Sequence, residues 1–456
     1  IGSVVSWVGS FLNGVFSFVV FAALDAVDIV LCYVYRAADL YMEAERRKPC
    51  YCSSPAKQTL TCSTGGKIVM SGTAADPKVF RLTRSKLQLE EISDTLFTRP
   101  SVISEISGKE GRRARVTPTY TVNSNVVGML QERIVGQYKP SSPRWSDCDC
   151  STCTSWVSPS RKEALFVNVA GATDKAQEDV VFIHGFISSS AFWTETVYPN
   201  FSAAARAKYR FLAVDLLGFG RSPKPADSLY TLREHVEMIE RSVLEAHRVK
   251  SFHIVAHSLG CIIALALATK HRGCVKSLTL LAPPYFPPPR GEHATQYMMR
   301  RLAPRRLWPV MGFGASVACW YEHVSRTVSL VFSKNHRRWE YLAKLITGNR
   351  MRTYLIEAFF THTHNAAWHT LHNVIFGTAG RMDGYLDDVN TRLKCDITLF
   401  HGREDTLIPV ECSRSVKSRV SRAKLRLVDG EDHITIVVGR QKAFAEELEG
   451  IWNNAA

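Results

Sequence analysis

The sequence lacks any repeat with a period of about 20–50 residues, which excludes solenoids and propellers. Hydrophobic residues make up 46% and charged residues 22%. These ordinary globular values exclude wholesale disorder, collagen-like repeats and a multi-spanning membrane architecture. Cysteine is too thin, at 12 in 456 residues, for a scaffold held by disulfides alone, yet it exceeds what a cytosolic enzyme usually needs. Acidic residues are in deficit: 42 Asp+Glu against 57 Lys+Arg leave a net charge of +15. That charge suits an anionic partner such as a membrane surface, a wall polysaccharide or nucleic acid, and says nothing about fold. No nucleic-acid motif accompanies it, so a nucleic-acid partner is set aside. At roughly 150 residues per domain, the length gives two or three domains, or one large domain with an inserted cap.

One long apolar run is present, at the start. Val4 to Tyr35 includes Phe11, Phe16, Phe18, Phe21, Ile29 and Leu31, and is interrupted by Asp25 and Asp28. A carboxylate near the centre of a span costs about 2.5–3.5 kcal/mol, against about 0.3–0.6 gained per large apolar residue. The two carboxylates are three apart and share a helix face. A strained membrane span, a cleaved signal peptide, an interfacial helix and a helix packed on the domain all fit this pattern. Residues 36–175 are polar and loop-rich, with one cysteine group at Cys50, Cys52 and Cys62 and another at Cys148, Cys150 and Cys153. Disulfides, zinc thiolates or acylation beside the apolar run are open to them. The spacings are not those of a zinc ribbon, and secretion would favour disulfides.

From about Glu178 short apolar runs alternate with helical stretches. The runs are Val180–Ile183, Phe211–Val214, Phe252–Ala256, Val275–Leu281, Ile397–Phe400 and Leu425–Val428. Such runs read as strands buried on both faces, and the alternation predicts a mostly parallel sheet flanked by helices. Thr231-Leu-Arg-Glu234 is a capping-box start for one of those helices. Between Pro283 and about Asp388 the alternation stops, and an aromatic-rich helical stretch predicts an inserted cap.

Chemistry concentrates at strand ends. Ala256-His257-Ser258-Leu259-Gly260 is a small-x-Ser-x-Gly turn between an apolar strand and an apolar helix, the layout of a nucleophile elbow. It would lift the Ser258 hydroxyl clear of the sheet and aim the Leu259 N–H at a developing oxyanion. His184-Gly185-Phe186 ends an earlier strand and offers the Phe186 N–H as a second donor. His184, Gly185, His257 and Gly260 are expected to line the site. Asp215 with Gly218 and Gly220 reads as a tightly packed supporting turn. A serine needs a base, and the base needs an acceptor to hold its tautomer. His433, after Val428, is the expected base. Asp405, after Phe400, is the expected acid, with Glu404 as its backup.

Other groups carry blander readings. His362, His364, His369 and His372 cluster in the cap without His-Glu-x-x-His spacing, and no metal or cofactor is expected. Cys261 reads as core. Arg300-Arg301 and Arg305-Arg306 read as a solvated helix face, or more sharply as a patch for anionic lipid headgroups.

Taken together, His184-Gly185-Phe186, Asp215 with Gly218-Phe-Gly-Arg-Ser222, the Ser258 elbow, Gly402-Arg-Glu-Asp405 and Asp432-His433 resemble the α/β-hydrolase family over about residues 178–456. The apolar first segment, the stretch 146–156 and Ala256-His-Ser-Leu-Gly-Cys261 are similar to the plant BODYGUARD group of that family. The departure at Ala256, where glycine is more usual, is small. The resemblance implies an α/β-hydrolase fold with segment 1–45 as a signal or anchor, 46–175 as a cysteine-containing region, and 176–456 as the hydrolase domain with a helical cap at about 285–388. It also implies a lysophospholipase-like serine esterase acting on acyl-lipid or polyester-precursor substrates. The implied setting is a membrane or epidermal cell-wall surface, in cuticle (cutin or suberin) formation. A polyester-forming acyltransferase and a non-catalytic lipid receptor or scaffold remain open beside it. An epoxide hydrolase would need an acid where Ser258 stands.

Overall fold

The computed structural model describes residues 2–41, 58–63, 66–71, 78–82, 93–96, 119–122, 150, 151 and 153, and 164–455 except 173–175, 226–227, 309, 335 and 349–351. Contacts divide the chain into two compact units: Ile1–Ser141 with Ala303–Thr327, and Ser142–Leu302 with Val328–Ala456.

In the first unit, Gly2–Tyr41 is one helix of 40 residues. Its segment Ser6–Tyr35 is long and apolar enough, by length and composition, to cross a membrane. Four antiparallel strands also belong here: β1 (Gln58–Ser63), β2 (Gly66–Ser71), β3 (Lys78–Leu82) and β4 (Thr119–Val122), in the order β3-β2-β1-β4. The face of the first helix carrying Ser17, Phe21, Asp28 and Cys32 is buried, and Cys32 is disulfide-bonded. Phe21 packs on Phe313 and Tyr321, and Leu307 N–H donates to Ser17 Oγ at 3.2 Å. The aspartates that interrupt the hydropathy both meet partners. Asp28 Oδ1 accepts the N–H groups of His323 (2.8 Å) and Val324 (3.1 Å), and Asp28 Oδ2 lies 3.2 Å from His323 Nδ1. These N–H groups open the helix Glu322–Lys334, so Asp28 caps that helix from another part of the chain. Asp25 lies 3.7 Å from Arg305, whose guanidinium sits over the Trp320 ring. The solvated face expected for Arg305 is therefore wrong: its side chain is 6% exposed, held between a carboxylate and an indole. Trp7, Phe11, Phe16, Val19 and Val30 of the first helix are exposed.

The second unit is built on seven strands: β5 (Val167–Gly171), β6 (Glu178–Ile183), β7 (Tyr209–Val214), β8 (Phe252–His257), β9 (Val275–Leu281), β10 (Asp396–Gly402) and β11 (Lys424–Val428). Their order is β11-β10-β9-β8-β6-β7-β5. Every pairing is parallel except β5 with β7. The six apolar runs are all strands. β5 is the additional one, an edge strand with half-exposed residues. Thr231 caps its helix as the pattern predicts, with Thr231 and Glu234 bonding reciprocally; the helix then continues as a π-helical turn, Glu240–Glu245. The helix Leu259–Lys270 is buried from Leu259 to Ala268 and packs on β6, β8 and β9. The helix Gln441–Asn453 sets Phe444, Leu448 and Trp452 into a cluster with Phe182 and Phe211. Between β9 and β10 the chain is helical, from Ala294–Leu302 to Met382–Arg392.

Substituting Asp28 by leucine would raise the hydropathy of the first helix while removing the acceptor from two buried N–H groups. We expect Asp28→Leu to cost about 1–3 kcal/mol, and Asp28→Asn, which keeps an acceptor oxygen, to cost less. Thermal unfolding of the detergent-solubilised full chain measures this. A leucine variant as stable as the parent would show that the cap contributes nothing.

Candidate active site

Ser258 stands at the junction of β8 and the helix Leu259–Lys270. Its backbone sits at φ 52°, ψ −121°, a region that costs a non-glycine residue about 1–3 kcal/mol. Backbone bonds hold it there: Ser258 N–H donates to Leu281 O at 2.8 Å, and Cys261 N–H to Ser258 O at 2.9 Å. The small residues that the turn requires are explained by what lies against them. A Cβ on Gly260 would fall 2.6 Å from His184 O and 2.7 Å from Ile183 O. A Cβ on Gly185 would fall 3.1 Å from both Ser258 Cβ and His257 Nδ1. The His184-Gly185-Phe186 stretch therefore lies directly beside Ser258. Leu259 opens the buried helix, where the first N–H groups have no partner within the helix.

His184 is fully buried. Its Nε2 accepts from Leu216 N–H (2.9 Å), so Nδ1 carries the proton and donates to Gly185 O (2.7 Å). Burial lowers its pKa, which suits this neutral bridging role between the ends of β6 and β7. Phe186 is half-buried, edge-on to Phe219. The Asp215 turn behaves as the supporting element expected. Asp215 accepts the N–H groups of Ser190 (2.5 Å) and Arg221 (2.7 Å), and Gly220 packs against its carboxylate.

Asp405 and His433 meet. His433 Nδ1 lies 2.7 Å from Asp405 Oδ2, and both side chains are buried. The other oxygen, Oδ1, accepts the N–H groups of Leu407 (2.9 Å) and Ile408 (2.8 Å). Burial alone would raise the Asp405 pKa. Hydrogen bonds from His401 and His433 outweigh it, with the Ile408 N–H, and hold the carboxyl well below the usual range. The ionised acid fixes the proton of His433 on Nδ1 and leaves Nε2 as the basic nitrogen. Glu404 is exposed and reaches this region only through its N–H, bonded to Glu431 O at 2.9 Å. Gly402 makes the convergence possible, because a Cβ there would strike the backbone of Glu431 and Asp432.

His257 ties the two halves together more directly than the sequence indicates. Its Nε2–H donates to the carbonyl of His433 at 2.9 Å, and the two rings lie 4.7 Å apart. Its other flank stacks on Phe192. Burial first, then the nearby His433, pushes its pKa down to about 3. His257 is thus a neutral clamp between the residue next to Ser258 and the loop that carries His433. Its place in the elbow was legible from sequence; its hydrogen bond, made 176 residues away, was not. The bonded chain runs from Asp405 to His433, and among the described residues none continues from His433 to the Ser258 hydroxyl. Catalytic hydrogen bonds are often loose without substrate.

The remaining sequence candidates are placed as follows. Cys261 is fully buried and donates to Ala256 O and Leu281 O, and burial pushes its thiol pKa up. The cap histidines pack among aromatic rings, with His372 4.3 Å from Trp368 and His362 beside Phe359. A cleft lined by Ser189, Glu195, Asp215, Arg221, Tyr354 and Glu357 includes none of Ser258, Asp405 or His433. Of the alternatives open to the second cysteine group, Cys150 and Cys153 are thiols and not disulfide-bonded. Cys50, Cys52 and Cys148 lie outside the described residues.

A family model described as "alpha/beta hydrolase fold" matches residues 180–439. Across 97% of this chain and 97% of the relative, the sequence is 55% identical to "Probable lysophospholipase BODYGUARD 1" of Arabidopsis thaliana. It is 53% identical to "Probable lysophospholipase BODYGUARD 3" of the same plant over 98% of this chain and 97% of that protein. For "Probable lysophospholipase BODYGUARD 2" the identity is 52%, over 98% of both. A fold-family match across more than half of the chain, and near-complete alignment to these relatives, establish that the chain belongs to the α/β-hydrolase family and within it to the BODYGUARD group.

Proposed function

We propose that this protein is a serine hydrolase that cleaves carboxylic esters of acyl lipids, with Ser258 as nucleophile, His433 as general base and acid, and Asp405 as the group that orients and charges His433. The observation that supports the reading is the 2.7 Å Asp405–His433 bond, whose loop is tied to His257, the residue preceding Ser258, a serine with a strained strand-to-helix backbone. His433 Nε2 takes the hydroxyl proton as Ser258 Oγ attacks the ester carbonyl. The imidazolium formed is stabilised by the Asp405 carboxylate. The N–H groups of Phe186 and Leu259 receive the oxyanion, each supplying about 3 kcal/mol of barrier lowering. His433 then returns the proton to the leaving alcohol, and a water activated in the same way releases the fatty acid.

The lysophospholipase name of the relatives supports an acyl-lipid ester as substrate. The apolar outer face of the first helix supports a membrane-associated enzyme, with Trp7, Phe11, Phe16 and Val30 facing lipid. Work at an epidermal surface, on cutin- or suberin-type polyester or its precursors, is the setting that the family resemblance adds.

Fluorophosphonate treatment should label the wild-type chain at Ser258 and leave Ser258→Ala unlabelled. Hydrolysis of acyl esters by that variant should fall by about 10⁴-fold or more. A folded wild-type protein that takes no label would remove the serine-hydrolase reading. Asp405→Asn should lower kcat by about 10³–10⁴-fold, because the amide no longer enforces the His433 tautomer. Glu404→Gln should stay near the parent rate, and the reverse ranking would reassign the acid.

The buried histidines set the acid response. Burial lowers the pKa of His235 and His257 to about 3, and of His362 to about 4. Their unfolded pKa is about 6.5, so between about pH 6.5 and pH 4 the unfolded chain binds protons that the native chain refuses. Stability should therefore fall through that window, by up to about 1.4 kcal/mol per pH unit for each histidine. Asp405, depressed rather than neutral, contributes stability that is lost only below its unfolded value of about 3.9. Urea unfolding at pH 7 and pH 5 tests this, with His362→Leu expected to flatten the slope. Equal stability at the two pH values would contradict it.

A further inference from the structure

A second group of reactive side chains lies in the sheet-containing unit, and none of its members belongs to the Ser258 site. Cys150 and Cys153 lie together, with Cys153 N–H donating to Cys150 Sγ at 3.5 Å. The stretch reads Cys150-Ser-Thr-Cys153. His336 opens the helix His336–Ile346 in the stretch between β9 and β10. Its Nδ1 lies 3.9 Å from Cys150 Sγ and 3.8 Å from Cys153 Sγ. Cys153 and His336 are buried and Cys150 is half-buried, with all three ligand atoms within 4.8 Å of one another.

The geometry points to a metal site: we propose that Cys150, Cys153 and His336 bind a thiophilic divalent cation, zinc by ligand type. Zinc takes sulfur at about 2.3 Å and imidazole nitrogen at about 2.0–2.1 Å, which in a tetrahedron separates sulfur from nitrogen by about 3.5–3.6 Å. The two separations here exceed that by a few tenths of an ångström, a change that side-chain torsions supply. A bonded disulfide would instead hold its sulfurs about 2.05 Å apart, and both residues are thiols. The charge balance also favours the ion. Each thiol loses a proton on binding, two thiolates neutralise the dication, and the imidazole enters uncharged, so the buried complex carries no net charge. An N–H donated to one of the sulfurs is the kind of outer contact that stabilises a metal-bound thiolate. The ion would join the two cysteines to a helix that begins 183 residues beyond Cys153. It would act as a cross-link that closes a long loop.

The test uses the full-length chain, purified in detergent under reducing conditions without chelator. Elemental analysis should find about one zinc per chain in the wild type, and at least about a tenfold loss in Cys153→Ser and in His336→Ala. Substitution with cobalt should give a thiolate-to-cobalt charge-transfer band, which these variants lose. His336→Cys supplies a replacement ligand and should retain the metal, which separates loss of a ligand from misfolding. Adding zinc back to chelator-treated wild-type protein should raise its unfolding midpoint. Wild-type protein without zinc above background, variants that keep their zinc, or a Cys150–Cys153 disulfide mapped in protein isolated without reductant would each overturn the proposal.

Discussion

The candidate site depends on backbone passing against backbone with no side chain between. Ser258 and Asp405 follow strands separated by β9, so they start about 10 Å apart at ordinary strand spacing. One imidazole and two short side chains can fill that gap only if the loops carrying them lie almost in contact. Three glycines permit this. Gly260 lets the buried helix seat on the carbonyls of Ile183 and His184, Gly185 lies on Ser258, and Gly402 admits the backbone of Glu431 and Asp432. Parallel strands then place all these loops at one edge, because the carboxyl ends of β6, β8 and β10 face the same way. The 2.9 Å bond from His257 to the His433 carbonyl closes the last gap, between the Ser258 turn and the loop after β11.

Charge is sorted within that small volume. Asp405 and His257 are both buried and both contact His433, yet burial decides the state of only one of them. The carboxylate has enough donors, from His401, His433 and two backbone N–H groups, to remain ionised against the desolvation that opposes it. His257 has a single carbonyl partner and a stacked phenyl ring, so desolvation wins and it remains neutral. A second cation beside His433 would oppose the imidazolium that the proposed mechanism requires. A neutral clamp holds the loop without that cost, which is why a histidine is tolerable next to Ser258.

What the sequence made legible follows from which interactions are local. Buried parallel strands are continuous apolar runs, and the six that read that way are strands. The capping box at Thr231 is complete within four residues, so its pattern is legible in the sequence. The placement of Ser258, with small residues around it, was legible because the turn itself demands them. β5 escaped because an edge strand with half-exposed residues has no such run. The π-helical continuation at Glu240–Glu245 has no periodic signature. The contacts between His257 and His433, and between Cys150 and His336, join residues 176 and 186 positions apart, and no spacing rule connects them. The apolar Leu-Ile-Pro step that distinguishes Asp405 from Glu404 in the sequence supplies two backbone N–H groups to the Asp405 carboxylate.

Hydropathy gives the wrong account of the first helix for a related reason. Counted residue by residue, Asp25 and Asp28 are penalties of about 2.5–3.5 kcal/mol each in an apolar segment. Their actual environment is a guanidinium and the amino-terminal end of another helix, both supplied some 280 to 300 residues later in the chain. Those groups replace the water that the carboxylates would lose. They also fix which face of the helix turns inward, because only one rotation presents Ser17, Phe21 and Asp28 to Leu307, Tyr321 and His323 together. With that face committed, the remaining apolar residues have to point outward. A helix whose polar groups are internal and whose apolar groups are external is unfavourable in water and favourable in hydrocarbon. The two aspartates therefore fix which face of the helix is buried, where the hydropathy account would count them only as penalties.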